Sequence, residues 1–392
     1  MFKNKQLRKK GFKMLKFSEQ QEMMRKVVRD FVEKEIAPIA RQIDEEDTCP
    51  VELFQKMAPL GINGVFVPAK YGGAGLGYTE MALVVEEIGR HAAGLALGLV
   101  AHYMGVYAIM TWGSEEQKQK YLPIICSGGF SGLSVTEPGG GSDFTGQKST
   151  GQLVDGEWVL NGRKCFITNS HCMSVNVVTV RTGEDAKGRP QISAFIIEGD
   201  APGHTPGRKE KKAGLRGSYT GEIILNNVRL APDNLLGKPG EGAKISLGTL
   251  GEMGRAGTAA AALGILRGCL EESVKYARER IIYGKPLSNL VNIQLIIAQN
   301  RTDYEAARLL TYNAAGLKDA GKPCTSEVSM AKFFATEASV NAAKRTMDLM
   351  GAYGVITDYP VSRFLRDAVT TIPACGTSHI MQVIIAGAEL RK

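Results

Sequence analysis

Val135-Thr136-Glu137-Pro138-Gly139-Gly140-Gly141-Ser142-Asp143 is the stretch around which the rest of this chain organises itself. Its consecutive glycines lack Cβ atoms, so backbone N–H groups can approach a ligand closely, and Thr136 and Ser142 set hydroxyls beside them. It is not a Walker loop, because no Gly-Lys-Ser/Thr follows. Nor does it open a helix as a dinucleotide fingerprint does. A glycine-rich loop alone is usually a turn, so its surroundings must decide.

Upstream the pattern is helical. Ser18 followed by Gln21 forms a capping-box signature, and Met24, Val27, Val28, Phe31 and Val32 supply an i, i+3, i+4 apolar stripe. Residues 78–110 are apolar almost all round, which implies helices buried in the body. Downstream the pattern is that of strands. Trp158-Val159-Leu160, Asn161-Gly162 and Cys165-Phe166-Ile167-Thr168 read as a hairpin with a two-residue turn. Further strand runs at 175–180, 192–197 and 222–230 suggest an antiparallel sandwich or barrel. After Gly242 long helical stretches return at 257–276, 294–319 and 326–349, enough for a bundle. Helices, then strands, then helices make an α+β chain: a helical domain over 17–126, a β domain over 127–240 and a bundle over 241–392.

The 392 residues are 44% hydrophobic and 22% charged, a globular composition that excludes a collagen-like or mostly disordered chain. Of the formal charge of +8, six positive charges (Lys3, Lys5, Arg8, Lys9, Lys10 and Lys13) fall in the first thirteen residues, within a basic tail over 1–16. The body therefore lacks the basic face that a nucleic-acid binder needs. The tail has no apolar core of a secretory signal and reads as a solvated extension, or as an extended start with Met14 as initiator. No eighteen consecutive apolar residues occur, so no membrane span is expected. Cys49, Cys126, Cys165, Cys172, Cys269, Cys324 and Cys375 form no C-x-x-C pair and read as reduced thiols of a cytoplasmic protein. No His, Cys, Asp or Glu cluster has metal-ligand spacing, and His91 and His102 read as packing residues.

The glycine-rich stretch resembles the T-E-P-x-x-G-S-D signature of the acyl-CoA dehydrogenase family, and further matches follow in order. Residues 161–169, Asn-Gly-Arg-Lys-Cys-Phe-Ile-Thr-Asn, are similar to the family's N-G-x-K-x-W-I-T-N strand pair. Residues 278–287, with Gln294 beyond them, resemble its R-x-x-F-G-x-x-L segment and downstream glutamine. Gly351-Ala352-Tyr353-Gly354 and Arg366-Asp367-Ala368 resemble its G-G-x-G and R-D-A elements. The resemblance covers the chain from about Phe17 onward. It implies an N-terminal helical domain, a middle antiparallel β domain and a C-terminal four-helix bundle, with FAD as cofactor and a CoA thioester as substrate. It also implies a homotetramer that passes electrons to an electron-transfer flavoprotein. By position, Val135, Thr136, Phe166 and Thr168 would line the flavin ring, with Phe166 standing where tryptophan is usual. Arg280 and Gln294 would reach the pyrophosphate and adenosine of FAD from a neighbouring subunit. Ser142, Asp348 (where glutamine is common), Gly351, Ala352, Thr377 and His379 complete the implied FAD set. Ser142, Gly254, Arg255 and Gly376 are the implied substrate contacts.

The family's usual α-proton acceptor is a glutamate in a Y-E-G-T segment after R-D-A, or one immediately before an arginine on the first long bundle helix. Here those places hold Cys375, in Ala374-Cys375-Gly376-Thr377, and Gly254, before Arg255. Glu252 reads as an acid near a helix start or facing CoA. Cys375 is the remaining candidate, but a thiol of ordinary pKa about 8.5 is mostly protonated at neutral pH. It therefore reads as a space-filler more readily than as a thiolate base. Small residues at 254, 374 and 375 imply a wide acyl pocket suited to a cyclic or branched group. The expected activity is an atypical acyl-CoA oxidoreductase with a non-standard proton acceptor. The alternatives are an enoyl-CoA reductase, a desulfinase-like elimination, or a flavin-binding protein without turnover.

Overall fold

A computed structural model describes residues 16–144 and 146–391, so the basic tail read over 1–16 lies, but for Lys16, outside the described residues. Helix α1 (Glu19–Phe31) begins where the capping box places it. Ser18 Oγ accepts the Gln21 N–H at 3.2 Å, and Gln21 Oε1 accepts the Ser18 N–H at 2.9 Å. Short helices α2 (Ala40–Glu46) and α3 (Val51–Met57) lead to α4 (Tyr78–Gly89), α5 (Ala93–Trp112) and α6 (Glu115–Cys126). Helices α4 and α5 are buried on nearly every side; α5 is apolar almost throughout, whereas α4 also buries Glu80, Glu86 and Glu87. Helix α5 is long and apolar enough to cross a membrane, with mean hydropathy 1.6, yet 94% of that window is buried inside the protein.

The β domain holds β1 (Phe130–Ser134), β2 (Thr150–Val154), β3 (Glu157–Thr168), β4 (Met173–Glu184), β5 (Pro190–Glu198), β6 (His204–Lys209), β7 (Thr220–Leu230) and β8 (Leu235–Leu236). They form one sheet in the order β6-β7-β3-β2-β4-β5-β8, with β1 also on β4. The pairing is antiparallel except that β1 and the first residue of β2 run parallel to β4, so the sheet is not wholly antiparallel. The hairpin read at Asn161-Gly162 is corrected. Strand β3 runs straight through these residues, and the tight turn lies at Asp155-Gly156 (φ 52° and 85°), between β2 and β3. Gly162, at φ 152°, instead marks a register break against β7, where a Cβ would come within 2.1 Å of Ser149 Oγ. Glycine is needed there for close approach within the sheet.

The helical third is led by α7 (Gly242–Thr249) and α8 (Arg255–Glu279), joined without a break by one π-helical turn, Leu250–Gly254. The helix read from 257 is therefore the continuation of one begun at Gly242, and Glu252 lies within it, not near its start. A two-strand ribbon, β9 (Ile281–Ile282) and β10 (Lys285–Pro286), precedes α9 (Val291–Asp319), α10 (Thr325–Met350), α11 (Val361–Thr371) and α12 (Ser378–Glu389). Helices α8, α9, α10 and α11 pack as the expected bundle, with α12 laid on α10. Small residues let α4 cross α8 closely: a Cβ at Gly264 would meet Glu86 O at 2.6 Å. The crossing also buries Glu87, which receives Arg25, Arg29 and Arg267. Burial opposes the charge of Glu87, but these guanidiniums prevail and hold its carboxyl at about 2.

Candidate active site

In the β domain the glycine-rich stretch is pinned from below. Glu137 accepts the N–H groups of Lys148 (2.6 Å) and Ser149 (3.1 Å) and the Lys164 ammonium (2.6 Å). Lys164, wholly buried, also donates to Gln147 Oε1 at 3.0 Å and to Val135 O at 3.3 Å. Burial pulls Lys164 down to about 8 against the pull of Glu137, while Lys164 keeps Glu137 below its ordinary value despite burial. The pair is thus ionic at neutral pH. It fixes Val135 and Thr136, whose carbonyl accepts the Cys165 N–H at 2.9 Å and so ties the stretch to β3.

On that platform Val135 is buried, and Thr136 and Thr168 are half-buried with hydroxyls that make no hydrogen bond among the described residues. Phe166 sits in an irregularity of β3 at φ 57°, 66% exposed. An uncovered aromatic beside two unengaged hydroxyls suits a planar ring with apolar faces and polar edges, so these residues fit an isoalloxazine. Ser142 is exposed near the tip of the loop.

In the bundle, the two places where a carboxylate was sought face each other. Cys375 stands at φ 54° before Gly376 (φ 110°), in the turn between α11 and α12. A Cβ built on Gly254 would lie 2.9 Å from Cys375 Sγ and 2.9 Å from Met104 Sδ. Thr258 Oγ1 donates to Gly254 O at 2.7 Å, and its hydroxyl also meets the thiol. Burial pushes the Cys375 thiol up, opposed by Thr258, Lys332 and Arg255. Arg255 is 9% exposed, and its guanidinium makes no hydrogen bond or ion pair among the described residues. Burial lowers its pKa while Cys375 opposes the fall. The nearby acids are committed elsewhere. Glu252 accepts the Tyr107 hydroxyl at 2.5 Å and pairs with Lys318, so it neither caps a helix nor stands free to face CoA. Asp367 accepts the Leu215 N–H at 2.5 Å, and burial pushes it up to about 7. His102 is a packing residue as read: Nε2 lies 2.8 Å from Asn63 O, and burial pushes the ring down to about 4.

Helix α5 joins the two halves. Met104 touches the cysteine pocket, and Gly98 O accepts Asn169 Nδ2 at 2.9 Å, next to Thr168. Of the remaining implied FAD contacts, Thr377 and His379 follow the turn that carries Cys375, whereas Arg280, Gln294, Asp348, Gly351 and Ala352 do not join the site within one chain. The 25 residues of α8 carry Arg280 about 38 Å along the axis from Arg255. At that far end Arg280 lies 5.5 Å over the Tyr353 ring. Gln294, whose Nε2 donates to Ser288 O at 2.9 Å, borders a groove of about 480 Å³ beside Tyr283, which is 89% exposed. Asp348 and Ala352 are exposed nearby, with Gly351 at φ 60°. Thr377 caps α12 by accepting the Ile380 N–H at 3.4 Å, and His379 is exposed in the first turn of that helix. Sequence reading missed the Lys164–Glu137 pair, Met104, Thr258 and Lys332. Lys164 left a signal as the lysine of the N-G-x-K element, and Lys332 as a lysine on the same helical face as Val328, Ala331 and Ala335. Among the described residues no group of three His, Cys, Asp or Glu side chains could hold a metal ion.

Comparison with known proteins agrees with this architecture. The acyl-CoA dehydrogenase N-terminal, middle and C-terminal domain families match residues 18–144, 132–228 and 240–390. The chain is 43% identical to an acyl-CoA dehydrogenase of Bacillus subtilis (strain 168), over 94% of this chain and 97% of the relative. It is 41% identical to an acryloyl-CoA reductase (NADH) of Anaerotignum propionicum, over 98% and 99%. Among solved structures, butyryl-CoA dehydrogenase from Megasphaera elsdenii superposes with TM-score 0.93 at 35% identity, over 96% of this chain and 100% of that one. A chain in a structure described as the electron transferring flavoprotein of Acidaminococcus fermentans gives 0.93 at 37%, over 97% and 100%. An acyl-CoA dehydrogenase complexed with FAD from Bacillus anthracis gives 0.89 at 31%, over 96% and 67%.

Proposed function

The chain belongs to the acyl-CoA dehydrogenase family of FAD-dependent CH–CH oxidoreductases, and from that premise we propose that it reduces enoyl-CoA thioesters, with Cys375 delivering the proton to the α-carbon. The observation that carries this reading is the meeting of Cys375 with Gly254, with no uncommitted carboxylate between them. Removal of an α-proton needs a positioned acceptor, and a thiol kept protonated by burial is a poor one. The same thiol is a competent donor. Reduction of an enoyl thioester places a hydride on the β-carbon and a proton on the α-carbon, and bound FAD supplies the hydride chemistry. Arg255 and Lys332 then stand beside the thiolate left behind until solvent returns its proton.

The likeness to an acryloyl-CoA reductase supports this direction. Likeness to the chain in the electron-transferring-flavoprotein structure supports such a protein as electron partner. The small Ala374 and Cys375 support a wide acyl pocket, suited to branched or cyclic groups, whereas the space beside Gly254 is taken by Cys375 Sγ and Met104 Sδ. The Arg280 and Gln294 set, far from Thr136 in its own chain, supports an assembly of several subunits, a homotetramer as in the family.

The test is anaerobic. Protein with its flavin reduced by dithionite is mixed with crotonyl-CoA or a cyclic enoyl-CoA in deuterated buffer. The oxidised flavin band should return as acyl-CoA with deuterium at the α-carbon forms, and Cys375→Ala should slow this strongly. Rapid bleaching of oxidised flavin by butyryl-CoA in wild type and Cys375→Ala alike, with no reaction of the enoyl thioesters, would overturn the reading.

A further inference from the structure

The pocket around Cys375 rests on a residue that no motif points to. Lys332, in the middle of α10, is wholly buried. Its ammonium donates to Ile372 O at 2.5 Å and to Gly376 O at 2.8 Å, the carbonyls that bracket Ala374 and Cys375. Burying a lysine ammonium costs several kcal/mol unless it is hydrogen-bonded and electrostatically compensated. Two carbonyls satisfy two of its donors, and no carboxylate bonds to it among the described residues. The nearest acid to act on it, Glu337, is occupied by Ser378 Oγ at 2.5 Å.

We propose that Lys332 is the positioning residue for proton transfer: by bridging Ile372 O and Gly376 O it holds Cys375 in its left-handed conformation against Gly254, and its charge stabilises the thiolate. The inference rests on the assignment of Cys375 above. Left-handed backbone is unfavourable for a residue other than glycine, so something must hold it. The thiol itself supplies little restraint, because it packs only against groups it touches across the pocket. The bridge from α10 supplies the restraint from behind.

Three elements face Cys375, and two of them bring charge. Lys332 is on α10, Arg255 and the neutral hydroxyl of Thr258 are on α8, and uncharged Met104 is on α5. Burial lowers Lys332 to about 8, so it is largely protonated at neutral pH and its charge is present during turnover. Of the two cations, only Lys332 is also bonded to the backbone of the turn that carries Cys375. It thus couples the geometry of the thiol to its ionisation.

Two variants separate the bridge from the charge. Lys332→Gln keeps an amide donor for the carbonyls without charge, and Lys332→Arg keeps the charge. The readout is the pH dependence of iodoacetamide alkylation at Cys375, resolved by peptide mass spectrometry in FAD-loaded protein. It needs no assumption about substrate or reaction direction. Lys332→Gln should retain flavin and move the Cys375 midpoint up by about one unit, a tenfold slower alkylation at fixed pH below it. Its kcat for enoyl-CoA reduction should fall about tenfold or more with KM nearly unchanged. Lys332→Arg should keep the wild-type midpoint. An unchanged midpoint in flavin-loaded Lys332→Gln overturns the proposal. If that variant does not fold, an upward-shifted midpoint in Lys332→Arg overturns it instead. A shifted midpoint with normal turnover would uphold the coupling of Lys332 to Cys375 and count against Cys375 as the proton donor.

Discussion

Replacing Cys375 with glutamate should convert a poor dehydrogenase into a competent one. Backbone strain is no obstacle: position 375 is already left-handed at φ 54° with a side chain present, so the exchange adds little conformational cost. The side of Gly254 is tight, since even a Cβ there would lie 2.9 Å from Met104 Sδ, but a methionine thioether is flexible and can give way. The larger side chain must therefore reach past Gly254 into the acyl pocket. Electrostatics set its ionisation. Desolvating a carboxylate costs several kcal/mol, whereas one cation at about 4 Å returns about 4 kcal/mol at an effective dielectric constant of 20. With Lys332 and Arg255 both acting at position 375, the terms nearly cancel, and the new carboxyl should ionise within reach of neutral pH. A positioned general base contributes about a hundred- to ten-thousand-fold. The assay is the anaerobic rate of flavin bleaching by butyryl- to octanoyl-CoA in wild type, Cys375→Ala and Cys375→Glu. Cys375→Glu paired with Ala374→Tyr would narrow the pocket for straight chains. The gain should appear as a rate that rises with pH to a plateau. If wild type and Cys375→Ala bleach as fast as Cys375→Glu, another base is at work and the argument from this pocket fails.

Lys164→Met leaves the Glu137 carboxylate buried without its partner and should cost about 3–5 kcal/mol, read from denaturant unfolding, with loss of flavin. Unfolding at the wild-type midpoint would contradict it. Arg280→Ala tests the phosphate contact expected of Arg280 and should weaken FAD retention on dilution, whereas full retention would remove Arg280 from the cofactor site. His102 carries a pH signature. Its folded pKa of about 4 lies below the ordinary value of 6.5, so its contribution is present above 6.5 and is lost as pH falls toward 4. About 2.5 units at 1.36 kcal/mol each make that loss roughly 3 kcal/mol. His102→Gln should be flatter over the same window, and parallel wild-type and variant curves would rule the residue out.

Features set by neighbours in sequence were legible, and those set by distant contacts were not. Ser18 and Gln21 announce α1 because the capping box is closed within four residues. The burial of α5 follows from an apolar surface that has no polar side to turn toward water, whereas that of α4 also depends on distant partners for Glu86 and Glu87. Asn161-Gly162 misled because its local preference for a turn yields to the β7 ladder and to Ser149 pressed against the glycine. The empty base positions were legible singly, but nothing local shows that Gly254 meets Cys375. Glu137 was read as part of a ligand loop, although its carboxylate faces inward to Lys164. Lys332 was passed over because lysines are ordinarily solvated, and only the bundle reveals the carbonyls that receive it.

The π-helical turn at Leu250–Gly254 gives the chain a way to change its pocket that does not pass through substitution. A π turn holds an extra residue compared with the α-helix on either side, and each residue of a helix turns it by about 100°. Deleting one residue there would let α7 and α8 run as one regular helix. Because the wider turn absorbs the extra residue, the flanking helices would keep nearly the phase they have now, and only the residues of the turn itself would be re-registered. Gly254 is the last of them, so the backbone set against Cys375 belongs to the one turn of this helix that a change in length of one can reshape. The surface that meets the thiol is thus tuned by length as well as by composition.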